Sequence, residues 1–327
     1  MPIPLKSAAG LLGLAALVCA GCAPTTSATD DADDADRVGY APYVSASTAH
    51  ATDAAGSPDA YNLAFVVANG SSCTASWGGH TKIGDSGVAA RLKKLADSGG
   101  TLRVSFGGAS GDELATTCDS AADLADAYAT ALDAAGGATH ADFDIEGDAL
   151  KDSAATTRRA EAIALLQKKR DLDVTFTLPV MPSGLDDDSL DLLEAANDAS
   201  ADVSTVNIMT MNYGESYQGD MSGYARTAAR ATHTQLKKVF GLSDAKAWQG
   251  MALTPMLGAN DIDGETFTLA DAAQLRSFAE EKGIAWLSTW ATFRDVACTD
   301  GTATDDAATN CSGVRQSAGA YGRALSG

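Results

Sequence analysis

The chain has 327 residues, of which 45% are hydrophobic and 6% are aromatic. This length suits one large domain, because α/β barrels of roughly 250 residues form single domains. The formal net charge of −20 excludes nucleic acid and anionic membrane surfaces as partners, since both would repel the chain. A neutral, cationic or sugar-like substrate fits this charge better.

Residues 1–22 predict a signal peptide. Lys6 precedes an apolar run, 8–20, which is too short to span a bilayer and is typical of an export signal. The run leads to Cys22, whose surroundings are similar to a lipoprotein cleavage site. We therefore expect either lipid attachment at Cys22 or a simple cut after Ala20. In both cases the protein would be secreted, and the only contact with a membrane would be a lipid anchor.

Residues 23–36 predict a disordered acidic linker. The segment, APTTSATDDADDAD, contains five aspartates and almost nothing that a core would bury. Folding is expected to begin close to Val38, so we assign residues 37–327 to one folded domain.

Strand-like and helical segments alternate along the folded part, and Gly, Asp or Ser marks the changes of period. Helices are predicted between most of the strands, among them 88–97, 124–135, 158–169 and 269–281. Eight alternations indicate a single closed (β/α)₈ TIM barrel. An open doubly wound sheet is the alternative, but the sequence contains no GxGxxG motif to support it. The predicted strands are 38–44, 61–68, 101–107, 139–146, 173–180, 203–211, 248–256 and 284–290.

Four cysteines fall in the folded part, and in an exported chain four thiols favour two disulfides. Cys298 and Cys311 flank a stretch rich in Gly, Thr, Asp and Asn that is typical of a surface loop, so a local pair is the simplest prediction. Cys73 would then pair with Cys118. Free buried thiols are the alternative, because spacing alone does not decide the pairing.

The fourth predicted strand ends in three alternating carboxylates, Asp142, Asp144 and Glu146. Because side chains alternate across a strand, all three would face the barrel interior, opposite to Phe143 and Ile145. Like charges this close in a low-dielectric interior cannot all ionise, so at least one proton should be retained near neutral pH. A general acid needs such a proton, and Glu146 lies nearest the end of the strand where barrels carry their chemistry.

Two other interpretations of these carboxylates are a solvated surface strand and a divalent-metal site. The first fits poorly, because bulky apolar residues alternate with the acids. The second would need further Asp, Glu or His ligands at the other strand ends, where no such cluster is found. The segment 260–265, NDIDGE, resembles a fragment of a calcium loop but lacks the remaining ligand spacing, so we interpret it as a surface loop. We predict no metal and no cofactor.

Four strand ends together resemble the glycoside hydrolase family 18 chitinases. Residues 105–108, SFGG, are similar to the family's S-x-G-G motif. Residues 139–146 are similar to its D-x-x-D-x-D-x-E motif, with Thr139 in place of the first Asp. The segments 207–213, NIMTMNY, and 287–290, LSTW, resemble the family's sixth and eighth strands. The similarity covers nearly the whole folded part, and it is strongest to the bacterial and archaeal branch with an M-x-M-D-Y segment.

The resemblance implies a role for each matching residue. Glu146 corresponds to the catalytic acid and base, Asp144 to the aspartate that orients the acetamido group, and Asp142 to a deeper charge partner. Trp290 matches the tryptophan beneath the reacting sugar. Asn212 stands where the branch has Asp, which predicts an altered rate and pH optimum rather than a different reaction. Asn212 and Tyr213 fall where the family positions the substrate's N-acetyl group, and the neighbouring Met211 is also expected to bind substrate.

The resemblance also implies substrate assistance. Asp144 and Glu146 project from one strand and approach a sugar from the same side, which leaves no protein nucleophile on the opposite face. The substrate's 2-acetamido oxygen would attack the anomeric carbon while Glu146 protonates the leaving oxygen, with net retention. We expect a monomer that cleaves chitin or N-acetylglucosamine oligosaccharides internally. The alternatives are an endo-β-N-acetylglucosaminidase acting on N-glycans and a chitin-binding lectin without turnover.

Two tryptophans outside these motifs also receive a prediction. Trp77, in the loop predicted after the second strand, either stacks on a sugar ring or packs beside Cys73. Trp248 is predicted to begin the seventh strand at the stability face of the barrel and to be part of the core. The interval 256–284 has room for one loop and one helix, which predicts a shallow cleft.

Overall fold

The computed structural model describes residues 37–299 and 310–327. The predicted signal peptide, 1–22, with its candidate lipidation site Cys22, and the predicted linker, 23–36, lie outside the described residues. Within the described ranges, no helix combines the length and the apolar character that a membrane crossing requires.

Most of the strands belong to one sheet. Thirteen strands are present in the described residues; seven contain four or more residues and six contain two or three. In chain order they are β1 (Gly39–Tyr40), β2 (Tyr43–Ser45), β3 (Ala60–Asn69), β4 (Ser72–Trp77), β5 (Thr81–Lys82), β6 (Thr101–Gly107), β7 (His140–Asp144), β8 (Asp173–Pro179), β9 (Thr205–Met209), β10 (Met251–Thr254), β11 (Gly258–Ala259), β12 (Thr266–Phe267) and β13 (Trp286–Leu287).

The parallel strands close into a ring. β1 and β2 are two parts of one interrupted strand, of which β1 pairs with β13 and β2 pairs with β3. The remaining parallel pairs join β3, β6, β7, β8, β9, β10 and β13 in that order. Eight strand positions therefore surround the centre, and the predicted (β/α)₈ barrel is confirmed. β4 adds to β3 in antiparallel orientation outside the ring, and β5 pairs with β4.

Helices follow most of the barrel strands and cover the outside of the ring. They are α1 (Ser86–Asp97), α2 (Leu114–Thr117), α3 (Ala121–Ala134), α4 (Gly147–Lys151), α5 (Ser153–Gln167), α6 (Asp187–Asp198), α7 (Met221–Phe240), α8 (Asp244–Gln249), α9 (Leu269–Lys282) and α10 (Ala320–Ser326), with a 3₁₀ turn at Thr292–Arg294. Most of them begin where a short polar side chain accepts a backbone N–H of the first turn, which satisfies a donor that the helix cannot pair internally. These capping residues are Asp85, Ser120, Asp152, Asp186, Asp220, Ser243 and Thr268.

The two faces of β7 differ as the alternation predicts. Phe143 points outwards and packs on Tyr128 of α3, with ring centroids 5.0 Å apart. Asp142 faces the barrel interior, where its carboxylate meets hydroxyl groups from β2, β6 and β8. The apolar core therefore lies between strands and helices, and polar groups occupy the inside of the barrel beneath the strand ends.

Trp248 corrects one predicted boundary. It lies in α8 and not at the start of a strand, because Ser243 caps a helix that runs to Gln249, and β10 begins only at Met251. Its prediction as a core residue is confirmed: Trp248 is 8% exposed and stacks on His233 with ring centroids 4.1 Å apart.

The segment between β10 and α9 also differs from its prediction. In place of a plain loop, β11 and β12 form a short antiparallel pair, with Gly258 opposite Phe267. One helix, α9, follows as predicted.

Both predicted disulfides are present. Cys73 in β4 is bonded to Cys118 at the end of α2, 45 residues along the chain. Cys298 is bonded to Cys311, across a separation of 13 residues. The first bond fastens the segment after β6 to the antiparallel strand β4. The second joins the stretch after the 3₁₀ turn to the stretch before α10.

Candidate active site

A cavity of about 480 Å³ opens at the carboxyl ends of the barrel strands. Five of the sequence-predicted site residues line it, and they come from the ends of the fourth, sixth and eighth barrel strands. Within the described part of the chain, the lining contains four carboxylates and no Lys, Arg or His side chain. The predicted residues in the lining are Asp144, Glu146, Met211, Asn212 and Trp290.

Asp142 lies fully buried beneath this cavity. One carboxylate oxygen accepts hydrogen bonds from the hydroxyls of Ser105 and Tyr43, the latter at 2.8 Å. The other accepts a hydrogen bond of 2.7 Å from Thr177. Burial raises the pKa of Asp142, while these three hydrogen bonds act in the opposite direction because they stabilise the carboxylate. Thr177 in turn accepts a hydrogen bond from the amide of Asn207 at 2.9 Å, so the donors themselves are held in place.

Asp144 has a contrasting environment one layer higher. It is only 4% exposed, and its Oδ1 atom has no hydrogen-bond partner among the described residues. Burial and the neighbouring carboxylates of Glu146 and Asp142 hold its pKa well above the usual range. A buried acceptor without a donor is costly, so this oxygen is available to a ligand that supplies one.

Glu146 lies at the mouth of the cavity, two residues beyond Asp144. Its backbone is still extended, with φ −145° and ψ 172°, and Gly147 turns the chain directly afterwards with a φ of 59°. Such a positive φ suits glycine and lets α4 begin at once. Burial raises the pKa of the half-buried Glu146 carboxyl. Asp142 and Asp144 of β7 and Glu146 just beyond its end thus project inwards as predicted, at increasing height in the barrel.

The glycines of the S-x-G-G motif allow this strand end to form. A Cβ atom at Gly107 would lie 2.1 Å from the carbonyl oxygen of Asp144, so only glycine permits the close approach of β6 to β7. The amide of Gly108 then donates a hydrogen bond of 2.9 Å to that same oxygen. The motif therefore positions the backbone of Asp144, although sequence reasoning identified it only by resemblance.

Aromatic rings form one wall of the cavity. Trp290 is half-buried and stacks with Phe65 of β3, with ring centroids 5.5 Å apart and planes inclined by 18°. Tyr43, which also donates to Asp142, lies edge-on to Trp290 at 5.8 Å. Trp290 lines the cavity at the end of the eighth barrel strand. Phe65 was not predicted, because it follows several apolar residues in its strand and its two faces look alike in the sequence.

The side chains of Asn212 and Tyr213 lie in different environments. Asn212 lines the cavity, and both ends of its side-chain amide are hydrogen-bonded to Asp261 at 3.0 Å. Tyr213 is 4% exposed and packs against Tyr217 and Tyr224, with ring centroids 5.8 and 6.0 Å apart. Its ring therefore lies beneath the cavity surface, and burial together with the carboxylate of Glu265 raises the pKa of its hydroxyl.

The structure corrects the prediction that Trp77 contacts substrate. Trp77 is the last residue of β4, is only 2% exposed, and donates a hydrogen bond of 3.3 Å from its indole to the carbonyl of Ile83. The other interpretation, a packing role, describes its position.

Several cavity residues were missed by sequence reasoning. Met181 and Asp186 follow β8, Met209 ends β9, and Asp261 belongs to the loop between β11 and β12. A search of every strand end could have found Met181 and Met209. Asp186 and Asp261 are distant from their strands along the chain, so only the folded structure brings them to the cavity.

The chain is similar in sequence to two curated chitinases. It is 32% identical over 277 residues to the "Probable bifunctional chitinase/lysozyme" of Escherichia coli (strain K12). It is 32% identical over 278 residues to "Endochitinase 11" of Metarhizium anisopliae. Each alignment covers 79% of this chain, but 31% of the first relative and 52% of the second, so the chain spans about a third and about half of these proteins. No family model matches the chain.

The fold is similar to that of active domain 2 of a chitinase from Pyrococcus furiosus. A structure of catalytic-site mutants of that domain has a TM-score of 0.77 and 28% identity, and the match covers 89% of this chain and 94% of that one. A structure of such mutants complexed with chito-oligosaccharides matches with a TM-score of 0.77 and 27% identity, over 89% and 93% of the two chains. Sequence, fold and strand-end motifs agree, and the chain belongs to the glycoside hydrolase family 18 chitinases.

Proposed function

We propose that this protein hydrolyses internal β-1,4 bonds of chitin and chito-oligosaccharides, with retention and by substrate assistance. The observation that carries this proposal is the contrast along β7. Asp142 is saturated with hydrogen bonds, whereas Asp144 has a buried oxygen without a partner among the described residues, and Glu146 lies above it with a raised pKa. This arrangement suits a site in which the substrate provides the missing donor.

Glu146 acts first as the general acid. Its raised pKa favours the protonated form closer to neutral pH, so it can protonate the leaving glycosidic oxygen. The 2-acetamido oxygen of the substrate then attacks the anomeric carbon of the same sugar. The Glu146 carboxylate left by this step removes a proton from water, and the water opens the cyclic intermediate with overall retention.

Asp144 holds the acetamido group during this step. Its free Oδ1 can accept the acetamido N–H, which turns the acetamido oxygen towards the anomeric carbon and stabilises the positive charge of the intermediate. The other two carboxylates of the lining support this division of roles. Asp186 caps α6 through a hydrogen bond of 2.9 Å from Ser189, and Asp261 is bonded to Asn212, so neither is poised as a protein nucleophile.

The stacked pair Trp290 and Phe65 offers an apolar wall to the sugar ring, since sugars present C–H groups on their flat faces. Endo-type cleavage is part of the proposal because the segment between β10 and α9 adds only the short β11–β12 pair to the rim.

Release of reducing ends from colloidal chitin tests the proposal. An endo-β-N-acetylglucosaminidase would instead release glycan from a high-mannose glycoprotein, and a lectin would bind chitin without producing new ends. For the mechanism, the β-anomer should appear first in a fresh NMR time course. Early α-anomer would reject retention.

We also propose that the protein works outside the cytoplasm. Two disulfides support this location, because such bonds persist in oxidising compartments. Mass spectrometry of the mature N-terminus, after expression in a secreting host, should find either a lipidated Cys22 or a chain cut after Ala20. An intact residue 1 in the exported protein would contradict the signal-peptide assignment.

A further inference from the structure

The segment between β10 and α9 forms one wall of the cavity, and we call residues 258–267 the hairpin. Its two ends are the antiparallel strands β11 and β12. Its tip carries Asp261, which lines the cavity, and Glu265, which is 1% exposed. Both carboxylates point to the loop that follows β9, so the hairpin and this loop together shape the cleft on the side of the sixth strand.

Asn212 and Asp261 form a reciprocal pair. The amide nitrogen of Asn212 donates to the Asp261 carboxylate at 3.0 Å, and the backbone N–H of Asp261 donates to the amide oxygen of Asn212, also at 3.0 Å. Asn212 has a φ of 53°, a left-handed conformation that Asn tolerates better than most residues. Each partner therefore uses a donor and an acceptor, and the match depends on one amide facing one carboxylate.

Glu265 makes a second, independent link between the same two segments. It accepts a hydrogen bond of 2.7 Å from the backbone N–H of Gly214. Burial raises the pKa of Glu265, and the backbone amides of Gly214, Asn212 and Tyr213 act against that rise. Two residues of the loop after β9, Asn212 and Gly214, are thus each hydrogen-bonded to a different carboxylate of the hairpin.

The base of the hairpin is fixed from below. Fully buried Arg294 donates to the carbonyl of Leu257 at 3.1 Å and to that of Ala259 at 2.6 Å. Burial lowers the pKa of Arg294 to about 10, and the Asp261 carboxylate acts against this shift. The carbonyl of Ser312, next to the disulfide at Cys311, accepts a hydrogen bond of 2.8 Å from Ala259. Because the base of the hairpin is fixed, the contact between Asp261 and Asn212 determines the position of the hairpin tip in the cavity wall.

We propose that Asp261 is a positioning residue for the proposed hydrolase, and that residues 212 and 261 form a matched pair in which two facing carboxylates are not tolerated. Asp261 holds Asn212, and with it the adjacent Met211, in the cleft wall where the sugar binds. An Asp at position 212 would bring a second carboxylate oxygen to about 3 Å from the first, where like charges repel. The Asn at this position is therefore matched to Asp261 across a separation of 49 residues.

The test is an exchange of the two residues, and it rests on the proposed function for its kinetic part. Asn212→Asp should raise KM for a soluble chito-oligosaccharide roughly tenfold while kcat changes less than about threefold, because the wall shifts and Glu146 does not. Asp261→Asn should have a smaller effect, since an amide oxygen can still accept from Asn212. The double variant Asn212→Asp/Asp261→Asn should return KM to within about twofold of the wild type, because amide and carboxylate have only changed places.

A double variant whose loss equals the combined loss of the two single variants would overturn the proposal. Asp263→Asn is the matched control, since it removes a carboxylate from an exposed position of the same hairpin and should leave KM unchanged. The same proteins can be compared in thermal unfolding without substrate. If the wild type fails to cleave any chito-oligosaccharide, the proposed function is rejected, and recovery of the unfolding temperature in the double variant still tests the pair.

Discussion

The barrel interior around Asp142 and the cavity around Asp144 differ in the number of hydrogen bonds that their carboxylates accept. Asp142 accepts hydrogen bonds from three hydroxyl groups, contributed by Tyr43, Ser105 and Thr177. Asp144, two residues later on the same strand, leaves its Oδ1 unpaired among the described residues. Burial raises the pKa of both groups, but only for Asp142 is the rise opposed by hydrogen bonds.

This difference separates stability from function within one strand. A buried carboxylate that is saturated with donors belongs to the fold, and the cost of its burial is offset locally. A buried carboxylate without donors costs folding free energy and is retained where a ligand completes it. If the distinction is correct, changes in the interior should lower stability, and changes in the cavity should lower turnover or binding with little loss of stability.

The largest effect is expected from Glu146→Gln. The amide keeps the size of the side chain but has no proton to transfer, so kcat should fall by about 10²–10⁴-fold. Binding of chito-oligosaccharides and the unfolding temperature should stay close to the wild-type values. Initial rates on a soluble oligosaccharide measure kcat, and calorimetry measures oligosaccharide binding and the unfolding temperature. Retention of more than a few per cent of activity would remove Glu146 from its assigned role.

Asp144→Asn should separate activity from stability. We expect kcat to fall by about 10²–10³-fold, because the charge beside the developing positive intermediate is lost. The free energy of unfolding should rise at neutral pH, since the variant removes a carboxylate whose burial next to two others is unfavourable.

The pH dependence of this gain follows from the raised pKa of Asp144. A carboxyl with a raised folded-state pKa binds its proton more tightly in the folded protein, so the wild type loses stability as pH rises from the ordinary Asp range towards the folded pKa. The stabilisation by Asp144→Asn should therefore be large at neutral pH and vanish below the ordinary Asp range. Urea unfolding at several pH values measures it, and a gain that persists at low pH would contradict the raised pKa of Asp144 as its cause.

Ser105→Ala makes the interior more like the cavity by removing one donor from Asp142. The loss of a hydrogen bond to a charged group costs about 1.5–3 kcal/mol, so unfolding should occur at lower denaturant concentration at neutral pH. The loss should shrink in acid, where Asp142 takes up a proton and depends less on the donor. Thr289→Val, which changes another buried hydroxyl near the eighth strand end, is a control that should lack this pH dependence.

The fold and the catalytic strand were predictable because their signals are local. Alternation with a period of two put Asp142, Asp144 and Glu146 on one face without any tertiary information. The strand 101–107 was predicted with the bounds that β6 has. Trp248 was misplaced because a six-residue helix and a strand start look alike in a short apolar segment.

The cavity wall was not predictable, because its contacts join distant segments. Nothing near Asn212 in sequence indicates that Asp261 will complete its amide, since the pairing depends on where the hairpin folds. The position of Trp77 could not be decided from the sequence for a similar reason. It follows the second barrel strand, as a cavity residue would, but β4 folds back on β3 in antiparallel orientation and buries the indole.

The smallest effect is expected from Phe65→Leu, which tests whether the aromatic wall belongs to the cavity or to the interior. Leucine keeps most of the apolar volume but removes the ring that stacks on Trp290. Aromatic pairs contribute about 0.5–1.5 kcal/mol beyond their buried area, so KM should rise roughly two- to tenfold while kcat stays within about twofold. The control is Phe293→Leu, which removes the ring that meets Trp290 edge-on at 5.8 Å. Phe65→Leu could instead lower the unfolding temperature as much as Ser105→Ala and leave KM unchanged. Phe65 would then belong to the barrel interior around Asp142 and not to the cavity around Asp144.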